Sequence, residues 1–160
     1  MGVYRTAQIC QNGHVITSAD TSPGLSAPFC RQCGSKTITK CPDCSANIRG
    51  YYHVDGVVSL GEHYGAPAFC HACGKPYPWT AAKLEGAREL ADELHELTTE
   101  EREKLKGTLD DLVRDTPRTQ VASTRFKRIM SKVGASSASA MRDIIVDVLS
   151  ESAKKMILGG

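Results

Sequence analysis

A chain of 160 residues, 41% hydrophobic and 24% charged, is long enough for one ordinary domain or two small ones and too apolar to be disordered. Its formal net charge of +2 excludes a uniformly cationic slab, but the balance is uneven: about +2 over residues 1–79, about −5 over 80–116 and about +5 over 117–133. No stretch approaches the roughly 20 apolar residues of a membrane span and the opening lacks a signal peptide's apolar segment, so a cytoplasmic protein with no membrane partner is expected.

Residues 3–9 alternate like a strand and lead into Cys10-Gln11-Asn12-Gly13-His14. Three C-x2-C pairs follow, Cys30/Cys33, Cys41/Cys44 and Cys70/Cys73. A two-residue spacing lets both thiolates of a pair grip one tetrahedral ion from the same side, and in a reducing compartment such pairs bind metal rather than form disulfides. Counting His14, the chain offers eight donors, the number that two closed Zn²⁺ sites need. Two zinc ions per chain are therefore expected. A site filled by four protein donors keeps no open position for water, so neither metal is expected to be catalytic.

The segment repeats itself. Ala27-Pro28-Phe29-Cys30-Arg31-Gln32-Cys33-Gly34 is echoed by Ala66-Pro67-Ala68-Phe69-Cys70-His71-Ala72-Cys73-Gly74, each preceded by another donor pair. The repeat favours two consecutive ribbons, Cys10/His14/Cys30/Cys33 and Cys41/Cys44/Cys70/Cys73. A cross-brace, pairing the first group with the third and the second with the fourth, remains the alternative. Within the second ribbon, residues 48–54 and 57–60 flank Asp55-Gly56, a hairpin signal. Arg49, Tyr51, Tyr52, His53, His63 and Tyr64 would decorate that small sheet, with Arg49, Tyr51, Tyr52, His53 and His63 as the candidate partner-binding face. The plainer reading is that these rings merely cover a ribbon too small for an ordinary core. The histidines left over from the donor count, His53, His63, His71 and His95, read as ordinary surface or hydrogen-bonded side chains.

Pro76-Tyr77-Pro78-Trp79-Thr80 closes the ribbons, which gives a double zinc-ribbon domain over residues 1–79 and a helical domain over 80–160. Thr80 is the expected N-cap of a helix running to about residue 97, with Leu84, Ala87, Leu90, Ala91, Leu94 and Leu97 on one stripe. A second helix is expected from Thr98 or Thr99 after almost no loop, with Thr98 and Glu101 in capping-box register and Leu105, Leu109, Leu112 and Val113 inward. A short basic helix then carries Arg118, Arg125, Lys127, Arg128 and Lys132. A last helix over residues 137–158 has a broad band that includes Met141, Ile144, Val148 and Leu149. The fold class is thus α+β: two small zinc-bound β ribbons followed by about four helices.

The motifs C-x-N-G-H, P-F-C-x2-C-G, C-P-x-C followed by I-R-G-x-Y-H-V-x-G-V, and F-C-x2-C-G-K-P-x-P-W-T carry a resemblance. Over about residues 5–80 the chain resembles an uncharacterised family of bacterial proteins with zinc-ribbon N-termini and, more loosely, double zinc-ribbon modules. The resemblance implies zinc-bound structure and bacterial cytoplasm, and no activity. His14 stands where the commonest double ribbon has a fourth thiolate, which leaves the first site less anionic and the weaker of the two.

No H-E-x-x-H motif, phosphate-cradling glycine loop or G-x-S-x-G elbow is present, so no enzyme is expected. The leading expectation is a non-enzymatic adaptor whose ribbons present Arg49, Tyr51, Tyr52, His53 and His63 to a protein partner. The apolar helical stripes would also permit a homodimer. The alternative is nucleic-acid binding through Arg118, Arg125, Lys127, Arg128 and Lys132, a weaker reading because the acidic helices of the same chain can neutralise them. A remote alternative, a part in a ubiquitin-like pathway, rests on the Gly159-Gly160 pair alone.

Overall fold

The computed structural model describes residues 1–21, 24–60 and 63–159. It is α+β, with short antiparallel strands in the first half and helices in the second. Backbone contacts divide the chain into two units, Met1–Ala81 and Ala82–Gly160. Gly160 lies outside the described residues.

In the first unit, β1 (Val3–Thr6) pairs antiparallel with β5 (Arg49–His53), and β2 (Gln8–Cys10) lies between β3 (Val15–Thr17) and β4 (Thr37–Ile38). The single strand expected over residues 3–9 therefore breaks at Ala7. This residue is fully buried and donates its N–H to Ile48 O at 2.9 Å, so the segments on either side serve different sheets. The hairpin expected around Asp55-Gly56 is also corrected. The turn forms, with Val57 N–H on Val54 O at 3.1 Å, but β5 takes β1 as its partner and residues 57–60 form no strand. Long-range pairing seats Gly50 against Ser18, where an added Cβ would meet Ser18 O at 1.9 Å, while Val57, Val58 and Leu60 stay exposed.

The core of this unit is Ala7, Ile9, Cys41, Ile48, Cys70, Tyr77 and Trp79, with Val15, Ile38 and Tyr64 packed around it. Tyr77 and Trp79 stack with ring centroids 4.7 Å apart, and the indole N–H donates to Pro67 O at 2.8 Å.

Helix α1 spans Pro78–Asp92, α2 Thr99–Leu112, α3 Thr119–Met130, α4 Ala135–Ile145 and α5 Glu151–Ile157. Thr80 is not the cap of α1. Pro78 opens the helix, where a missing N–H costs nothing, and Thr80 lies inside the first turn with its hydroxyl donating to Ala68 O at 2.8 Å. The helix stops at Asp92 rather than near 97; Leu94 and Leu97 are buried from the connection over 93–98, whose Leu94 carbonyl accepts from Arg102 Nε. Thr98 caps α2 in the expected reciprocal box with Glu101.

The last expected helix is two helices, making five among the described residues. Ser150 ends the run: its N–H bonds Leu112 O at 3.0 Å and its hydroxyl caps α5 through the Ala153 N–H. Met141, Val148 and Leu149 are buried and Ile144 half-buried within the unit, so the burial of this band requires no second copy.

Candidate metal centres

Each donor group sits on a tight turn that faces its N–H groups inward. In the three C-x2-C turns the first cysteine's carbonyl accepts from the residue four positions on (Gly34, Ser45 and Gly74) and its N–H bonds the carbonyl five positions on. Isolated bridges, Phe29 with Lys36, Lys40 with Asn47 and Phe69 with Pro76, clamp each turn at its base. The turn at Cys10 is one residue tighter, with Gly13 N–H on Cys10 O at 2.9 Å and Cys10 N–H on His14 O at 3.0 Å. Gly13 is required there. Its φ is +91°, and an added Cβ would meet Trp79 Cβ at 3.0 Å.

The turns meet in two clusters, Cys10/His14/Cys30/Cys33 and Cys41/Cys44/Cys70/Cys73, whose donor atoms within each cluster all lie within 4.8 Å of one another. This is the consecutive grouping, not the cross-brace. In the first, His14 Nδ1 is 3.4 Å from Cys10 Sγ and 3.5 Å from Cys30 Sγ, with Cys10 and Cys33 sulfurs 3.7 Å apart. In the second, sulfurs approach at 3.8 Å (Cys41, Cys73) and 3.6 Å (Cys44, Cys70). An ion with bonds of about 2.3 Å to sulfur and 2.0 Å to nitrogen at tetrahedral angles separates sulfurs by about 3.8 Å and nitrogen from sulfur by about 3.5 Å. The donors already stand at the corners such an ion needs. Both clusters could hold a metal.

Hydrogen bonds prepare the first site for anionic sulfur. His14 N–H faces Cys10 Sγ at 3.3 Å, Gln32 N–H faces Cys30 Sγ at 3.4 Å, and the Asn12 amide faces Cys33 Sγ at 3.3 Å. The Asn12 amide, helped by the Ser35 backbone N–H, draws the Cys33 thiol down to about 5. In the second site the Cys73 backbone N–H lowers Cys70 to about 6. Cys44, in spite of the Ala46 N–H, is pushed up to about 12 by burial and by the neighbouring sulfurs of Cys70, Cys73 and Cys41. Four crowded thiols without a cation cannot all ionise, which an ion at the centre reverses.

Arg49, Tyr51, Tyr52 and His53 share β5, and the last three line an open cleft of about 820 Å³ together with His63, Tyr64 and the segment after β5. Arg49 lies beside it, its guanidinium 4.5 Å over the Tyr4 ring, and Tyr4 meets Tyr52 edge-on at 5.0 Å. His53 bonds Asp55 through Nε2 at 3.1 Å and Tyr51 OH through Nδ1 at 3.4 Å.

The five candidate basic residues on and around α3 are not equivalent. Arg118 pairs with Asp111 at 3.1 Å and Lys132 with Glu101, both on α2, whereas Arg125, Lys127 and Arg128 have no ion pair among the described residues. By contrast every lysine and arginine of α1 and α2 has a partner: Lys83 with Asp147, Arg88 with Asp110, Arg102 with Leu94 O, Lys104 with Glu100 and Lys106 with Asp92. Tyr64, expected with the other rings on this small sheet, does line the cleft, whereas sequence reasoning missed Asn12 as a site residue, for which the Asn-Gly pair inside the first turn was the available signal.

Two ribbons with four-donor clusters that could hold metal, followed in the chain by an all-α unit, define a double-ribbon protein with a helical extension. The chain belongs to a bacterial family described as "Uncharacterized protein conserved in bacteria" (DUF2321), which matches residues 3–157. The match thus takes in the helical half, beyond the residues 5–80 that the motifs covered. No curated protein and no solved structure matches the chain. Among the described residues, no helix is long and apolar enough to cross a membrane.

Proposed function

We propose that the protein is a non-enzymatic adaptor: two Zn²⁺ ions stiffen the ribbons, and the face formed by Arg49, Tyr51, Tyr52, His53 and His63 docks a protein partner. The observation that carries this reading is an unburied apolar rim. Val57, Val58 and Leu60 are 60%, 80% and 89% exposed, and they follow directly on the tyrosine-lined cleft. Wet apolar clusters of this kind on a small scaffold mark docking sites, and rings held by a metal-stiffened sheet lose little rotamer freedom on binding. Charge points the same way. Seven thiolates against two divalent ions add three negative charges, which takes residues 1–79 from about +2 to about −1 and makes the loaded ribbons a poor surface for phosphate.

Tyr52→Ala should abolish capture of partner proteins from nuclease-treated lysate while the variant keeps its zinc, and Arg125→Ala with Arg128→Ala should leave capture intact. Capture that survives Tyr52→Ala refutes this reading. The second reading, nucleic-acid binding by the helical unit, is favoured by Arg125, Lys127 and Arg128, whose charges α2 does not pair. It predicts a salt-sensitive association with nucleic acid that the double arginine variant abolishes.

A further inference from the structure

Five aromatic rings, those of Tyr51, Tyr52, His53, His63 and Tyr64, line the cleft beside β5, and no lysine or arginine stands among its described lining residues. Ring faces carry partial negative charge and attract cations. Asp55, next in the chain to the lining residue Val54, has a side chain 97% exposed and a described ion-pair contact with His53 alone, so it adds negative potential at the rim. An acidic guest would meet that carboxylate, and the Arg49 guanidinium beside the cleft is already engaged over the Tyr4 ring. A purely apolar guest would strip water from phenols and imidazoles without replacing their hydrogen bonds. A cation meets neither obstacle.

The same surface already shows the contact in miniature. Arg49 lays its guanidinium 4.5 Å over Tyr4, and Tyr4 buttresses Tyr52 edge-on, so the ring next in line faces the cleft from a fixed position. Tyr64 is fixed likewise, its hydroxyl donating to Arg49 O at 2.5 Å, and Tyr51 by its contact with His53 Nδ1. Preset rings make a cage at low entropic cost. Beside it, Val57, Val58 and Leu60 offer apolar surface to whatever flanks the inserted group.

Resting on the reading of this face as a docking surface, we infer that the cleft takes the cationic side chain of an arginine or lysine from the partner protein, with that residue's apolar neighbours lying on Val57, Val58 and Leu60. The probe is the peptide acetyl-Ala-Val-Xaa-Val-Ala-amide, with arginine, its neutral isostere citrulline, or glutamate at Xaa. It is titrated into the zinc-loaded full chain carrying ¹³C-labelled tyrosine rings. The arginine peptide should shift the ring signals of Tyr51, Tyr52 and Tyr64 and bind about tenfold more tightly than the citrulline peptide. Tyr52→Ala should weaken it by a similar factor, and Asp55→Asn, which removes no packing, should weaken it a few-fold.

Equal binding of arginine and citrulline peptides, tighter binding of the glutamate peptide, or an arginine titration that moves no cleft ring each overturns the inference. The two proposals fail separately. If Tyr52→Ala abolishes partner capture while charge at Xaa makes no difference, the cation site falls and the docking face stands. If capture survives Tyr52→Ala while the arginine peptide still shifts the rings, the docking reading falls and the cation site stands.

Discussion

Ser45 occupies a position that its own fold assigns to glycine. In the turns after Cys33 and Cys73 the corresponding residues are Gly34 and Gly74, at φ +75° and +76°; Ser45 follows Cys44 at φ +65°, the one described non-glycine residue with positive φ. Its side chain is exposed, so Ser45→Gly removes little but left-handed strain. That strain is about 1–2 kcal/mol for a residue with a Cβ. Glycine's extra freedom in the unfolded chain returns about 0.5–1 kcal/mol of it, leaving a net gain of about 0.5–1 kcal/mol. Because folding of the ribbon and metal binding are linked, this gain should be read as zinc held about two- to fivefold more tightly at the second cluster, in competition with a chromophoric chelator. Gly74→Ser is the mirror experiment: the site is open, with nothing within 4 Å of an added Cβ, so a loss of similar size is expected from the backbone alone. A Ser45→Gly variant that binds zinc no better, beside a Gly74→Ser variant that binds it worse, refutes the reasoning and assigns Ser45 a supporting contact.

Three further outcomes are expected. Elemental analysis of protein purified without added metal should return two zinc ions per chain, and Cys41→Ser should disable the Cys44/Cys70/Cys73 cluster while the ligand-field bands of a cobalt-substituted Cys10/His14/Cys30/Cys33 site persist; loss of those bands instead would reject the consecutive grouping. Ser123 Oγ is buried with no described hydrogen-bond partner, so Ser123→Ala should stabilise the protein by about 1 kcal/mol in urea denaturation, and a destabilisation of that size would reveal a missed partner. Lys132, with the Thr98 N–H, holds the Glu101 carboxyl below its ordinary value of 4.5. The folded value is the lower one, so this stabilisation is present above the unfolded value and is lost as pH falls through the folded one. Glu101→Gln should therefore lower the thermal midpoint at neutral pH and match the parent in strong acid, whereas a difference that persists unchanged there would remove the charge from the argument.

Patterns that act over a few residues were legible in the sequence: the donor turns, their consecutive grouping through the repeat, and the Thr98/Glu101 box. What could not be read depends on contacts between distant segments. Asp55-Gly56 signals a hairpin correctly as a turn, yet whether β5 pairs with residues 57–60 or with β1 is decided by Gly50 fitting under Ser18, an event between residues more than thirty apart in the chain. The apolar band over 137–158 keeps helical spacing through Ser150, and only the bond from Ser150 N–H to Leu112 O marks where the chain turns. The charge reversal after Pro117 suggested that the acidic helices could neutralise the basic one. Helix geometry brings Arg118 and Lys132, at the two ends of α3, to acidic partners and leaves the middle unmatched.

The stacked pair Tyr77 and Trp79 touches both ribbons at once. Trp79 lies against Gly13 inside the first donor turn, and Tyr77 packs in the same buried cluster as Cys41 and Cys70 of the second site. If an ion captured at one cluster orders this shared surface, uptake at the other should become easier, though each cluster has its own four donors. Native mass spectrometry at limiting zinc should find empty and doubly loaded chains with few singly loaded ones. A cell short of zinc would then not hold a stock of half-filled chains. It would hold fewer complete ones, so that their number, rather than the quality of each, records the supply.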